Sequence, residues 1–491
     1  MPVRHLLCTT ALTLALASSA HAARSLEQVR YALFQDGQAQ VEEDLRHLSA
    51  RGDLAATRLL GEVLASRSPA NTSQAIDLFK QAFADGRGDV GALIPLARLV
   101  DNKPRWREAN RAFMRQALGR FTPGRDFVAV DTRLEVFLVY PELFTEDEVT
   151  RLVELYDRAC LVYCHAPLYR AVAAARYGER SEAEKWFQLA VESDPRAVQR
   201  YYEFLGEQRN VQFRAFAEGL APRMNALPVD LVHRIAQQVA NIRNIEISTF
   251  NNNRPTTRAQ TDEEKEAREL QAKAHASKVE QLDREVLQWL DNAVDRDFGP
   301  AMLSKASFLM TAPDRYNPEP VLALIQRLEQ RQGDTQSLSM VERENPITPQ
   351  RIKALRASLH MVLWRTLDPQ LSQRLIAELQ AEQYPEALLL EGDLYSQGGL
   401  DEPDQDRALA LYMEEARRGS VNALLRIARL YTYGRAICRD NGKAYAFAYA
   451  AHELGDQRAT DLMHSLSTRL TPEQRDIAAA EGNRLIEEST L

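Results

Sequence analysis

The chain has 491 residues, of which 26% are charged and 7% aromatic, and a net charge of −8 spread over intermixed acids and bases. That length exceeds a single hydrophobic core and implies several domains or one extended array. The even mixing of charge excludes a dedicated nucleic-acid binder, which needs a concentrated basic face.

In chain order, Arg4, the apolar run Leu6–Ala17 and the small-x-small pattern Ala20-His21-Ala22 predict a secretory signal peptide over residues 1–22, cleaved after Ala22. The apolar run is shorter than the roughly 20 residues a membrane span requires, and no other stretch approaches that length. The expectation is therefore an exported, periplasmic protein with no transmembrane segment. Cys8 lies inside the apolar run, so three of the four cysteines remain after cleavage: Cys160, Cys164 and Cys438.

Residues 23–247 read as helical repeats. Gly52 and Gly88, Ala56 and Ala92, and Leu60 and Leu96 are each 36 apart. Between them Ala75, Leu78, Phe79, Ala82 and Phe83 form one helical face, with Gly86 positioned as a C-cap. Pro104, Pro123 and Pro141 interrupt the pattern. It resumes in Ala183, Trp186, Phe187 and Ala190 before Pro195. Residues 248–262, with three consecutive asparagines and little to bury, predict a polar linker. Residues 263–491 form a second helical region, with regular repeats at about 386–470 and a final capping helix.

The C-terminal units carry the strongest signal. Ala387 matches Ala423, Tyr395 matches Tyr431, Gly398 matches Gly434, Ala408 matches Ala444 and Gly419 matches Gly455, all 36 apart. A fixed period with small residues at fixed places predicts stacked helix-turn-helix units, because Ala and Gly let antiparallel helices approach closely. Gly392 sits in the same framework. The fold class is all-α: a right-handed superhelical solenoid of tetratricopeptide-like or Sel-like repeats. Thr471-Pro472-Glu473-Gln474 predicts a capping box opening the last helix.

No chemistry-bearing constellation emerges. Gly86, Gly88 and Gly91 spell G-x-G-x-x-G, but a helix precedes them, which is wrong for a dinucleotide site. Cys160 and Cys164 precede His165, half of a metal-binding pattern with no second cluster to complete it. The two cysteines either form a disulfide where a helix ends or stand as two buried thiols. No catalytic residue, metal or cofactor is expected, and the chain reads as a binding protein and not an enzyme. Arg426, Arg429, Arg435 and Arg439 crowd the last repeats and form a candidate partner-facing basic strip.

The C-terminal units resemble Sel-like repeats through Ala423, Ala428, Leu430, Tyr431, Gly434, Ala444 and Gly455. Residues 80–97, residues 163–178 and the pair 444–451 with 470–475 are similar to the AlgK family of alginate biosynthesis and export proteins. That resemblance implies a periplasmic scaffold with no cofactor. Its partners would be proteins: the outer-membrane alginate porin and the periplasmic alginate-modifying proteins, with contact to the polysaccharide itself left open. Family members are usually lipoproteins; here no Cys follows the apolar run, so association with the outer membrane would pass through a partner. The alternative reading is a general envelope Sel-like adaptor that regulates a signalling or wall-remodelling enzyme.

Overall fold

The computed structural model describes residues 24–488 apart from 37–40, 68–70, 125, 161–163, 254–260, 312–316, 333–337, 340–341, 343–345, 363, 398–401 and 434–437. The predicted signal peptide and the repeat positions Gly398 and Gly434 lie outside the described residues, as does Arg435. All regular structure among the described residues is helical, with 24 α-helices and short 3-10 turns. Successive helices pair antiparallel, giving the all-α solenoid that the period predicts.

The 36-residue period is visible in individual contacts. Asp404 and Asp440 cap the second helices of two successive units, accepting from Arg407 N and Lys443 N at 2.9 Å each. Their own amides donate to Tyr395 O (3.0 Å) and Tyr431 O (3.1 Å). Arg407 lies over the Tyr395 ring at 3.9 Å and Lys443 over the Tyr431 ring at 5.3 Å. Gly419 and Gly455 end the second helices at φ 90° and 103°, a left-handed conformation that favours glycine. Glu386, Asn422 and Arg458, each 36 apart, form a ladder across three units: Asn422 Nδ2 donates to Glu386 Oε1 (2.8 Å) and Arg458 Nη2 to Asn422 Oδ1 (2.5 Å). In the terminal unit Thr471 and Gln474 exchange the predicted capping-box bonds at 3.0 and 3.2 Å.

Small residues set the helix spacing. Ala423, Ala428, Ala444, Ala448 and Ala459 are fully buried, and Ala387 is nearly so. A Cβ added to Gly392 would fall 2.4 Å from the Tyr412 ring, and one added to Gly61 would fall 2.6 Å from the Phe79 ring. The same close approach thus serves the first and the last repeats.

The first repeats differ from the sequence pattern at one turn. Gly52 takes φ 88°, but in the next unit the left-handed positions fall on Ala84, Asp85 and Gly86. An inserted 3-10 turn, Ala84–Gly86, displaces them, so Gly88 is not the structural counterpart of Gly52. The glycine cluster is a turn between helices. The linker region differs as well. The helix Val229–Asn253 continues through residues 248–253, and Phe250 stacks on His275 of the helix Asp262–Asp295 at 3.8 Å. The apolar core also runs past this point, since one cluster extends from Ala75 to Leu359. A smaller cluster, Leu389 to Ile486, forms the core of the last repeats.

The arc closes on itself. Pro104–Leu118 meets Asn441–Glu453, and Val229–Asn253 meets Gln457–Ser467. Gln457 Nε2 donates to Asn102 Oδ1 (3.3 Å) and Arg209 pairs with Asp461 (3.2 Å). Gly455 makes the tightest approach: a Cβ there would lie 2.8 Å from Lys103 Cγ and 3.0 Å from Asn102 O. Substituting Gly455→Leu therefore adds backbone strain and a clash at the closure, while Asp461→Arg sets two guanidinium groups against each other. Both variants are expected to open the arc and raise the radius of gyration in small-angle scattering. An unchanged scattering profile in both would show that the closure does not depend on these contacts.

Candidate binding cleft

Closure leaves a central cleft of about 1310 Å³ whose wall draws on helices from Arg98 to Thr460. Among the described residues eight arginines line it against five carboxylates, and no lysine does. How each arginine is held decides what the cleft can bind.

On the N-terminal wall, Glu135 is buried beneath three donors. Arg98 Nε donates at 2.8 Å, Arg196 Nη1 at 2.7 Å and Tyr169 Oη at 2.8 Å. Burial alone would raise the Glu135 pKa, but the charges and hydrogen bonds of Arg196 and Arg98 more than offset it and hold the carboxyl down to about 2. Asp194 is likewise buried, between Arg196 (2.9 Å) and His165 Nδ1 (2.8 Å), and is held well below the ordinary carboxylate range against the effect of burial. Arg200 pairs with Asp101 at 2.6 Å. On the C-terminal wall, Arg426 pairs with Asp393 at 2.5 Å and Arg458 with Asp456 at 2.6 Å. Asp393 also accepts from Tyr412 Oη (2.7 Å); its burial raises its pKa in spite of Arg426.

Between these walls lies the helix Val229–Asn253. Arg234 and Arg351 both line the cleft, both are exposed, and neither has a carboxylate at ion-pair distance among the described residues. His233, 9% exposed, shares a 2.8 Å hydrogen bond with Ser304 and packs edge-on to Phe298. Burial, together with the positive charges of Arg234 and Arg351, pushes its pKa down to about 4.

The residues singled out from the sequence are dispersed. Cys160 and Cys164 are joined as a disulfide with Cα atoms 5.9 Å apart, beside His165. Arg426 lies in the cleft, committed to Asp393 and placed over the Tyr412 ring. Arg429 and Arg439 are exposed, and Arg439 Nε donates to Asn441 Oδ1 at 3.3 Å. Ala387, Gly392, Tyr395, Ala423, Tyr431, Ala444 and Gly455 occupy the repeat contacts described above. Sequence reasoning missed Arg98, Arg196, Arg234, Gln238 and Arg351. These come from four separate helices that the stacking of the array, over one continuous core, sets around the same cleft; the one local signal was the polar spacing of Arg234, Gln237, Gln238 and Asn241 along a single helix.

No family model matches the chain, and no curated protein matches it. Among solved structures it is similar to a protective antigen of uropathogenic Escherichia coli with an SLR fold, at 14% identity over 91% of this chain and 95% of that one, TM-score 0.25. It is similar also to a Sel1 repeat protein from Oxalobacter formigenes, at 17% identity over 95% and 98%, TM-score 0.20. A third likeness is to a circular tandem repeat protein of novel repeat topology, at 16% identity over 94% and 95%, TM-score 0.20. At such scores the likenesses carry no argument, and the repeat architecture rests on the contacts of this chain.

His233 makes the cleft wall pH-sensitive. Its folded pKa lies below its ordinary value of 6.5, so the unfolded chain binds the proton first as pH falls. Its contribution to stability is complete above pH 6.5 and is lost as pH falls through about 4. The loss amounts to roughly 3 kcal/mol. Urea unfolding at pH 7 and near pH 4 is expected to show this extra loss in the native chain and not in His233→Gln. Equal losses in both would place the acid sensitivity elsewhere.

Proposed function

We propose that this protein is a periplasmic scaffold that assembles an alginate biosynthesis and secretion complex by protein–protein binding. The observation that carries the scaffold reading is the central cleft, a single concave surface to which both halves of a stacked helical array contribute. An array of this kind presents several moderate contacts on one rigid frame, and together these give avidity that no single site supplies. The exopolysaccharide assignment and the outer-membrane porin and alginate-modifying partners draw on the signal-like N-terminus and on the segments at 80–97, 163–178 and 444–475. Within this reading the protein turns over no substrate.

The experiment is cross-linking in intact cells, paired with a clean deletion. Recovery of an outer-membrane barrel and polymer-modifying proteins, with polymer release lost while precursor synthesis continues, is the expected result. Recovery of wall-remodelling or sensor proteins with normal polymer release would replace it with the general envelope adaptor.

A further inference from the structure

We propose that the central cleft binds an extended acidic peptide segment of a partner protein along the helix Val229–Asn253, with Gln238 and its neighbouring amides meeting the peptide backbone and Arg234 and Arg351 meeting its carboxylates. The proposal rests on the scaffold reading and names the chemistry of what the scaffold holds.

The first observation is Gln238. It is 5% exposed and lines the cleft, yet its Nε2 has no hydrogen-bond partner among the described residues. A buried donor left unmade costs about 1–3 kcal/mol, which an oxygen arriving from the cleft would recover. The second observation is the row in which it sits. Arg234, Gln237, Gln238, Asn241 and Asn244 follow helical spacing and all line the cleft. The row is about 15 Å long at 1.5 Å per residue, the span of about four or five residues of extended chain. A primary amide carries a donor and an acceptor side by side, the same pair that a peptide unit in an extended strand presents along its edge. Gln237 Oε1 and Asn244 Oδ1 already accept from Arg234 and Arg243 at 3.3 Å each, so the row offers its N–H groups and remaining lone pairs to a peptide backbone irrespective of the side chains.

The third observation is charge. Among the described residues six of the eight lining arginines are ion-paired; Arg351 is not, nor is Arg234, which donates to Gln237 Oε1 (3.3 Å) and has Asp230 one turn away, beyond ion-pair distance. Both raise the potential at His233, so they act on the same part of the wall. The lining carboxylates without an arginine, Glu203 and Glu386, are hydrogen-bonded to Gln199 (2.7 Å) and Asn422 (2.8 Å). The unmatched positive charge thus faces the amide row and calls for an acid on the ligand. A sugar polymer fits less well. Sugar faces stack on exposed aromatic rings, and the aromatic lining is Tyr384 and Phe308, the latter buried beneath Arg243.

The test is selection of short random peptides on the full-length protein. Enriched peptides are then synthesised, and their affinities for the native chain and for Arg234→Ala, Arg351→Ala and Gln238→Leu are measured by fluorescence anisotropy. Enrichment in Asp and Glu is expected, with roughly tenfold weaker binding for each arginine variant and a comparable loss for Gln238→Leu. Both arginines are exposed, so their variants should keep the native melting curve, and Arg234→Lys should restore part of the affinity. Failure to enrich, enrichment no richer in acids than the starting pool, or affinities unmoved by the arginine variants would overturn the proposal. So would a uronic acid oligosaccharide that binds the native cleft, loses binding in these variants and excludes the peptides. Cellular cross-linking with Arg234→Ala separates the two readings: partners recovered unchanged would leave the scaffold standing and remove the cleft as its docking site.

Discussion

The architecture depends on how closely paired helices can approach. Where Gly392 faces Tyr412 and Gly61 faces Phe79, no side chain but hydrogen fits, because an aromatic ring fills the space. The buried alanines at 423, 428, 444, 448 and 459 extend the same spacing through the last units. In the last units close packing at fixed positions makes each a copy of the one before it, so caps, glycine turns and cation–π contacts recur every 36 residues. Stacked helix pairs curve into an arc, and the cleft is a consequence of its last repeats meeting the helices Pro104–Leu118 and Val229–Asn253.

Local rules were legible wherever they acted within one unit. The capping box at Thr471 and Gln474, the alanine and glycine columns and the helical pairs all follow from spacing that a sequence displays directly. The second N-terminal turn was not legible, because a 3-10 insertion moves the left-handed residues onto Ala84, Asp85 and Gly86 while leaving the glycine spacing intact. The start of the polar segment at 248 misleads for a related reason: Asn and Thr there disfavour helix only weakly, and stacking of Phe250 on His275 is enough to carry the helix on to Asn253. The cleft was illegible in principle. Arg98, Arg234, Arg351 and Arg458 are neighbours only because the arc closes, and no local pattern encodes closure.

Charge in this protein is arranged by necessity more than by excess. A buried carboxylate such as Glu135 survives in the core only because two guanidinium groups and a tyrosine hydroxyl satisfy its oxygens. Arg243 and Asp283, 5% and 4% exposed, make the same kind of pair at the base of the Phe250–His275 hairpin, with Thr311 and the Phe308 ring completing the shell of Arg243. Against that background of matched pairs, the two unmatched arginines and the unsatisfied Gln238 amide stand out. A net-charge count could not reveal them, since the chain as a whole is acidic.

The closure itself is a different kind of contact from the packing it completes. The apolar cluster from Ala75 to Leu359 and the one from Leu389 to Ile486 are bridged along the chain by a third, Ala354 to Leu394, whereas at the closure polar pairs such as Asn102 with Gln457 and Arg209 with Asp461 join them. Partly exposed pairs of this type contribute about 0–1 kcal/mol each, far less than either core. The two sides of the cleft are thus packed together along the chain and held only by polar contacts across the closure. Any ligand that touches both the Arg234 wall and the Arg426 wall adds its binding energy to the closed arc and not to an open one. Occupancy of the cleft and closure of the arc are therefore linked.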